Sequence, residues 1–391
     1  MRENPALAPI AFSRPAIDEA TIAEVGDVLR SGWITSGKHV QGFEAEFSAF
    51  CRAPFSVALS SGTAGLDLAV GALDLRPGDE VIVPSINWVS GPNMIEIHGG
   101  KAVFCDVDPE TLLLNADHAA ALITSRTRAL MPVHFAGAPC DLTKLRSIAQ
   151  QRQLALIEDA AHAVGCQFRG EPIGTQPGTP GSCAVFSFHP TKNITTAEGG
   201  MVTTHDPELY DRIKLGRFHG IRKDAWKNHA RSGKDQYQVE IPGRKYNLTD
   251  IQAVIGRHQL RAVLDFNRTR TALAHHYRAT LPPDGVVRPL AIPTASGDVH
   301  AWHIFVVLVQ PGYQRSDIID FLAAHGIGTA LHFPPVHRQA FYAARNPQGS
   351  LPVSEDVGER LLSLPLHVGM TTADVDRVVA VLRDFSHGNA P

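Results

Sequence analysis

The stretch Ser56-Val57-Ala58-Leu59-Ser60-Ser61-Gly62-Thr63-Ala64-Gly65 decides the fold. Its first half reads as a buried strand. Ser61-Gly62-Thr63 is a tight turn, and the residues that follow, to about Leu73, continue as a helix. The same unit recurs downstream. Residues 80–83, 102–105, 130–133 and 154–157 are predicted strands, and residues 89–98 and 141–152 are predicted helices. Continuous apolar strands separated by helices predict a mainly parallel sheet covered on both faces. Ligands in such folds bind beyond the carboxyl ends of the strands. The polar residues expected at those ends are Ser61-Gly62-Thr63, Trp88, His134 and Glu158-Asp159.

Upstream, Ile22, Val25, Val28 and Leu29 have helical spacing, and Gly32 stops that helix. The loop Ser31-Gly32-Trp33-Ile34-Thr35-Ser36-Gly37 is small and polar at its centre, suited either to close approach of a ligand or to ending a helix. Phe43, Phe47 and Phe50 share one face of a second helix, a core pattern.

Downstream, Phe186-Ser187-Phe188-His189-Pro190-Thr191-Lys192-Asn193 and Ala197-Glu198-Gly199-Gly200-Met201-Val202 read as strand, turn and strand. A lysine on an ordinary turn is solvated. One held between two buried strands loses hydration, so its neutral amine becomes accessible for Schiff-base chemistry. The other residues decide between these. Gly62-Thr63 at a helix start can bind a phosphate through free N–H groups and the helix dipole. A carboxylate at Glu158-Asp159 can keep a ring nitrogen protonated, or simply cap a helix. The Trp88 indole can stack on a flat ring. Together with Ser187, these are the parts that pyridoxal 5'-phosphate requires.

Residues 212–245 hold ten Lys/Arg against three Asp/Glu, in a chain whose net charge is -3. They form either a solvated basic loop or a flap that attracts an anionic substrate. A helix is predicted over residues 206–219, and a long one from Thr249 to about Leu281, where Pro282-Pro283 ends it. The remainder is predicted to hold a strand at 304–309 and helices near 316–325, 355–364 and 372–385.

The low net charge gives no reason to expect nucleic acid or an anionic membrane as a partner. The longest apolar run, residues 304–309, is too short to span a bilayer. Five scattered cysteines with no CxxC pair suggest neither zinc nor a disulfide framework, and with no signal-type start they make a cytoplasmic location the expectation. Nineteen histidines show no metal-ligand spacing, and no metal is expected.

With these residues in view, the chain resembles the DegT/DnrJ/StrS nucleotide-sugar aminotransferases over roughly residues 10–385. The resemblance is carried by Phe12-Ser13-Arg14-Pro15, Ser31 to Thr35, Ser60 to Gly65, Glu158 to His162, Phe186 to Lys192, Lys245-Tyr246-Asn247-Leu248-Thr249-Asp250 and Leu331-His332-Phe333. It implies an α/β, fold-type-I architecture: a large cofactor domain with a mainly parallel seven-stranded sheet, residues 1–265, and a smaller C-terminal α/β domain, residues 266–391.

The same resemblance implies roles. Lys192 would bond pyridoxal 5'-phosphate covalently and move the substrate proton. Asp159 would pair with the ring nitrogen, His162 would lie beside the ring, and Trp88 would stack on it. Gly62, Thr63 and Ser187 would bind the phosphate, with Asn247 supplied by the neighbouring subunit of a homodimer. Thr35, His332 and Lys245 would lie near the sugar. The implied reaction moves an amino group from L-glutamate, which leaves as 2-oxoglutarate, to a nucleotide-linked keto sugar, with a UDP-linked 4-keto pentose preferred over a dTDP- or UDP-linked keto-6-deoxyhexose. Related dehydratases carry His in place of the lysine, so Lys192 argues against that chemistry. The full set of lysine, acid and phosphate residues argues against a non-catalytic binding protein. The sequence departs from the pattern it resembles at residues 174–182, at Pro190-Thr191 and in the basic flap at 221–240.

Overall fold

The structure is a computed structural model describing residues 8–175, 178–222, 237–293, 295–345, 349–386 and 388. Residues 223–236 of the basic stretch lie outside the described residues. Seven strands form the main sheet: β1 (Phe55–Leu59), β2 (Glu80–Pro84), β3 (Lys101–Cys105), β4 (Thr127–Leu130), β5 (Ala155–Asp159), β8 (Cys183–Ser187) and β9 (Gly200–Thr204). Two short strands, β6 (Gln167–Phe168) and β7 (Glu171–Pro172), pair with each other outside it. The sheet order is β1-β9-β8-β5-β4-β2-β3. Strand β9 alone runs against the rest, antiparallel to both of its neighbours. The carboxyl ends of the other six strands therefore meet at one edge.

The helices are α1 (Glu19–Arg30), α2 (Lys38–Cys51), α3 (Gly62–Gly71), α4 (Ser90–Ile97), α5 (Ala116–Ala121), α6 (Leu142–Arg152), α7 (Pro207–Gly216), α8 (Asp250–Thr280), α9 (Arg315–Ala324), α10 (Ala340–Arg345), α11 (Pro352–Arg360) and α12 (Thr372–Ser386). One face of the sheet packs Phe186 and Phe188 against Phe43 and Phe47 of α2, with Ala253, Leu260 and Val263 of α8 in the same core. The opposite face packs Val57, Val81 and Val185 against Leu66 and Val70 of α3 and Leu209 and Ile213 of α7. Burial on both faces explains why these strands are continuously apolar rather than alternating.

A second core lies in the C-terminal part. Strands β10 (Val287–Pro289), β11 (Phe305–Val309) and β12 (Leu361–Leu364) form an antiparallel sheet. Its Phe305, Val307 and Leu364 pack with Val375, Val378 and Val379 of α12. The end of α8 contributes Leu273, Ala274 and Tyr277 to this core, so the 31-residue helix joins both. Thr249 and Gln252 start α8 with a capping box, and Pro282 follows its end.

Three sequence expectations are corrected. The predicted helix at 355–364 ends at Arg360, and Leu361-Leu362-Ser363-Leu364 is the strand β12. Its fully buried leucines pair with β11, so tertiary packing overrides leucine's helix preference. The strand predicted at 130–133 runs instead over Thr127–Leu130, because Pro132 offers no N–H to the ladder and Val133 turns toward the site. Helix α7 stops at Gly216 rather than 219.

Buried acids fasten the layers by capping helices from a distance. Asp250 Oδ1 accepts from the Gly37 and Val40 N–H groups at 2.8 and 3.0 Å, because Gly37 gives α2 no side-chain cap of its own. Asp106, just after β3, accepts from Val353 and Ser354 N–H at 3.1 and 2.7 Å at the start of α11. Asp250→Ala is expected to lower stability by about 1–2 kcal/mol, read as a lower denaturation midpoint with the m-value unchanged.

Candidate active site

The carboxyl edge of the sheet opens into a cavity of about 310 Å³. Five strand ends line it. After β1 come Ser61, Gly62 and Thr63; after β2, Asn87, Trp88 and Ser90; after β4, Val133. Strand β5 contributes Asp159, followed by Ala161 and His162. Strand β8 contributes Ser187, followed by His189, Thr191 and Lys192. The far wall is His332 and Phe333 from the C-terminal part, with Glu198 at the mouth. Thus Lys192, Asp159, His162, Trp88, Gly62, Thr63, Ser187 and His332 line one cavity.

Lys192 sits in the connection between β8 and β9. That connection is pinned by Phe188 N–H to the Gly199 carbonyl and Thr196 N–H to the Phe188 carbonyl, at 2.9 and 3.0 Å. Burial lowers the Lys192 amine to about 8, and the nearby Asp159 carboxylate only partly opposes this. Above about pH 8 the amine is therefore mostly neutral. Labelling of the cofactor-free protein by an amine-reactive reagent, followed by mass at the Lys192 peptide, is expected to titrate with a midpoint near 8. A midpoint near the ordinary 10.5 would show that the amine is solvated.

Strand alternation separates the two acids at the end of β5. Asp159 faces the cavity; one of its oxygens accepts from Ala161 N–H at 3.1 Å. Burial raises its pKa, with Ala161, Lys192 and His134 lowering it less. Glu158 points to the other face and binds His134 Nε2 at 3.0 Å and Arg146 at 3.3 Å. Burial pushes Glu158 up, but His134 and Arg146 together hold it below the usual range. Cys140 N–H donates to His134 Nδ1, so Nε2 carries the proton given to Glu158. His134, expected at the ligand edge, is a fully buried partner of Glu158 instead.

Ser61 caps α3 by accepting from Ala64 N–H at 3.0 Å. The Gly62 and Thr63 N–H groups have no acceptor among the described residues and face the cavity at the positive end of the helix. Glycine is required at 62, since a Cβ there would lie 2.9 Å from Ser187 Cβ. The Thr63 hydroxyl bonds that of Ser90 at 2.8 Å, so the start of α4 adjoins the same cradle. Trp88 is 59% exposed and leans on Phe333, with ring centroids 5.7 Å apart.

His162 is buried with Nδ1 unpaired, and its ring lies 4.3 Å from that of His303. Burial first, then Lys192, keeps His162 well below its ordinary pKa. His332 is lowered to about 4 by burial and then Lys192; it stacks on Phe12 at 5.4 Å and bonds Ser363 Oγ at 2.9 Å. These imidazoles are neutral at neutral pH.

Thr35, Lys245 and Asn247 lie outside the cavity lining. They form a neighbouring cluster in which the Thr35 carbonyl accepts from Asp250 N–H and Asn247 Nδ2 donates to Ser36 Oγ at 2.7 Å. Lys245 Nζ donates to Asn247 Oδ1 at 2.5 Å and lies 4.4 Å over the Phe218 ring. Residues that the sequence reading passed over are Asn87, Ser90, His189, Thr191, Glu198 and Phe333. Asn87 is nearly fully buried with Nδ2 unpaired; adjacency to Trp88 at a strand end was its one available signal.

The donor set fits pyridoxal 5'-phosphate. A buried carboxyl with a raised pKa calls for a cationic partner, which a protonated ring nitrogen provides. A desolvated amine suits an aldehyde, and unpaired N–H groups at a helix start suit a phosphate. Among the described residues no group of His, Cys, Asp and Glu is arranged to hold a metal, and no helix is long and apolar enough to cross a membrane. All five cysteines are buried and unbridged.

A sequence profile of the DegT/DnrJ/EryC1/StrS aminotransferase family matches residues 15–383. Among solved structures the chain is similar to the aminotransferase TlmJ from Streptoalloteichus hindustanus, at 33% identity over 96% of this chain and 98% of that one, with a TM-score of 0.88. It is similar to Spr1654 from Streptococcus pneumoniae, described as a sugar aminotransferase, at 30% identity over 97% and 98% of the two chains, TM-score 0.87. Spr1654 has been solved in PMP and PLP forms. It is also similar to DesI, solved in the presence of its TDP-sugar product, at 30% identity over 97% and 94%, TM-score 0.84. Matched by the family profile along nearly its whole length, the chain belongs to the DegT/DnrJ/EryC1/StrS aminotransferases and is a pyridoxal-5'-phosphate-dependent sugar aminotransferase.

Proposed function

We propose that this enzyme transfers the amino group of L-glutamate to C4 of a UDP-linked 4-keto pentose, giving the 4-amino-4-deoxy-L-arabinose nucleotide and 2-oxoglutarate. The observation that carries the catalytic part is the shared cavity of a desolvated Lys192 amine and a buried Asp159 carboxyl. Pyridoxal 5'-phosphate, when bound, supplies the electron sink for moving an amino group between two substrates. Lys192 would bond its aldehyde carbon, and its Nζ, when free, would take and return the substrate proton as base and acid. Asp159 would keep the ring nitrogen protonated, and His162 would lie beside the ring. Trp88 would cover one face, and Gly62, Thr63 and Ser187 would hold the phosphate.

The pentose assignment rests on sequence similarity to UDP-4-amino-4-deoxy-L-arabinose–oxoglutarate aminotransferase at residues 12–15, 133–139, 192–195 and 300–303. A second reading, a dTDP- or UDP-linked keto-6-deoxyhexose, is favoured by the likeness to DesI, which was solved with a TDP-sugar. A panel of UDP- and dTDP-linked keto sugars, assayed with glutamate, separates the two. Preferred turnover of a dTDP-hexose would reject the pentose reading. We place the domain boundary on α8 near residue 265, where its contacts pass from the first core to the second.

We also propose a homodimer with shared sites. Asn247 lies beside its own chain's cavity rather than in it, near the exposed Trp33 and Ile34. In this reading Asn247 serves the phosphate of the partner's site, and Thr35 and Lys245 approach the sugar there. Mixing an inactive Lys192→Ala protein with an Asn247→Ala protein should therefore restore activity through hybrid dimers carrying one intact site. A mixture no more active than the sum of its parts would reject sharing.

A further inference from the structure

One buried polar cluster lies outside the cavity lining yet borders the segments that carry Lys192, Asp159 and His162. Asn193, next to Lys192, is 4% exposed. Its side-chain amide donates twice, to Asn267 Oδ1 at 2.8 Å and to the Ala301 carbonyl at 2.7 Å. Asn267, at the middle of α8 and likewise buried, donates in turn to the Val164 carbonyl at 2.9 Å. Four segments are thus tied by three hydrogen bonds: the Lys192 connection, the turn that follows Asp159 and His162, helix α8, and residues 300–303, which carry His303 against His162.

Such a pair does more than fill space. The hydrogens are buried, so a shift that broke one bond would leave a donor unsatisfied, at greater cost than bending a solvated contact. Short asparagine side chains also allow little slack between the backbones they join. The arrangement makes a specific demand on the sequence. Gly165 has φ +83°, and a Cβ there would lie 2.5 Å from Asn267 Nδ2. Only glycine lets the Val164 carbonyl meet Asn267.

We propose that Asn193 and Asn267 are positioning residues that hold the Lys192 amine in register with Asp159 and His162, with Gly165 as the glycine this contact requires. The proposal rests on the assignment of Lys192 as the reacting amine. The two asparagines touch neither cofactor nor substrate, and they act through the backbone on either side of the cavity. Loss of the pair leaves every cavity-lining side chain in place and loosens its alignment, a change that lowers kcat more than it raises KM.

The test compares Asn193→Ala, Asn267→Ala, Gly165→Ala and Gly170→Ala in the cofactor-loaded enzyme and in cofactor-free protein. Gly170 has the same φ of +83°, and a Cβ added there would meet nothing within 4 Å, so Gly170→Ala carries the backbone strain without the contact. For Asn193→Ala and Gly165→Ala we expect kcat to fall by ~10- to 10²-fold with KM for both substrates little changed. In the cofactor-free protein the Lys192 labelling midpoint should move up from about 8 toward 10.5 as water reaches the amine. Gly170→Ala should show neither effect. Gly165→Ala keeps all polar groups, so it remains informative if an asparagine variant fails to fold. Equal kcat and equal labelling midpoints for folded Gly165→Ala and Gly170→Ala would overturn the proposal. Turnover persisting in Lys192→Ala would instead reject the assignment of the reacting amine, an outcome read from a different variant.

Discussion

Replacing Lys192 with alanine is expected to reduce transamination by at least ~10⁴-fold, the upper range for loss of a positioned acid–base group, here compounded by loss of the covalent anchor. The absorbance band of the lysine-bound cofactor should vanish with it. The protein should still fold. The Lys192 amine is pulled down to about 8 in the fold from 10.5. The unfolded chain therefore binds that proton more tightly than the native one, and the charged amine costs stability below about pH 8, a cost that fades as pH rises toward 10.5. Removing the amine should leave the cofactor-free melting temperature at about pH 7 unchanged or raised. Residual turnover close to that of the parent enzyme would refute the role of Lys192. A collapsed melting temperature would show that its loss acts through folding.

Asp159→Ala should cut turnover by at least ~10²-fold, the scale of one lost preorganised electrostatic partner. Its sign on stability separates function from structure. Burial raises the Asp159 pKa, so the native state holds this proton more tightly than the unfolded chain, and the group loses stability as pH rises through its native value. At neutral pH the cofactor-free variant should then be no less stable than the parent. Near-normal turnover would remove Asp159 from the ring nitrogen. Glu158, one residue earlier, makes the opposite prediction. Its pKa is held down by His134 and Arg146, so it contributes stability at neutral pH that is lost as pH falls through its native value. Glu158→Ala should destabilise the fold and leave His134 Nε2 without its acceptor in the core.

This pair shows why some of the site was legible and some was not. Two adjacent acids at a strand end are equivalent in the sequence; the pleat sends one into the cavity and the other into the opposite face. His134 was expected at the ligand edge for the same reason that Trp88 was, since both follow strands. The backbone beyond β4 turns His134 inward to Glu158 and leaves Val133 on the cavity. Asn87 and Ser90 were passed over because asparagine and serine are common in turns, and only their placement at the starts of converging elements marks them. The strand at Leu361–Leu364 reads as helix locally, since its leucines take strand geometry only because β11 offers them a ladder.

The sequence by itself determined the alternation of buried strands and helices, and with it the edge where a ligand belongs. It also determined the chemistry available there: one amine, a pair of adjacent carboxyls, a helix start and an aromatic face. Those are properties of local composition and period, which short-range physics sets. Tertiary structure alone decided which of two neighbouring acids faces the cavity, that Lys192 is desolvated enough to be neutral above about pH 8, and that Asn193 reaches across 74 residues to Asn267. Each depends on what packs against a side chain from distant parts of the chain, and burial of that kind is a property of the assembled layers.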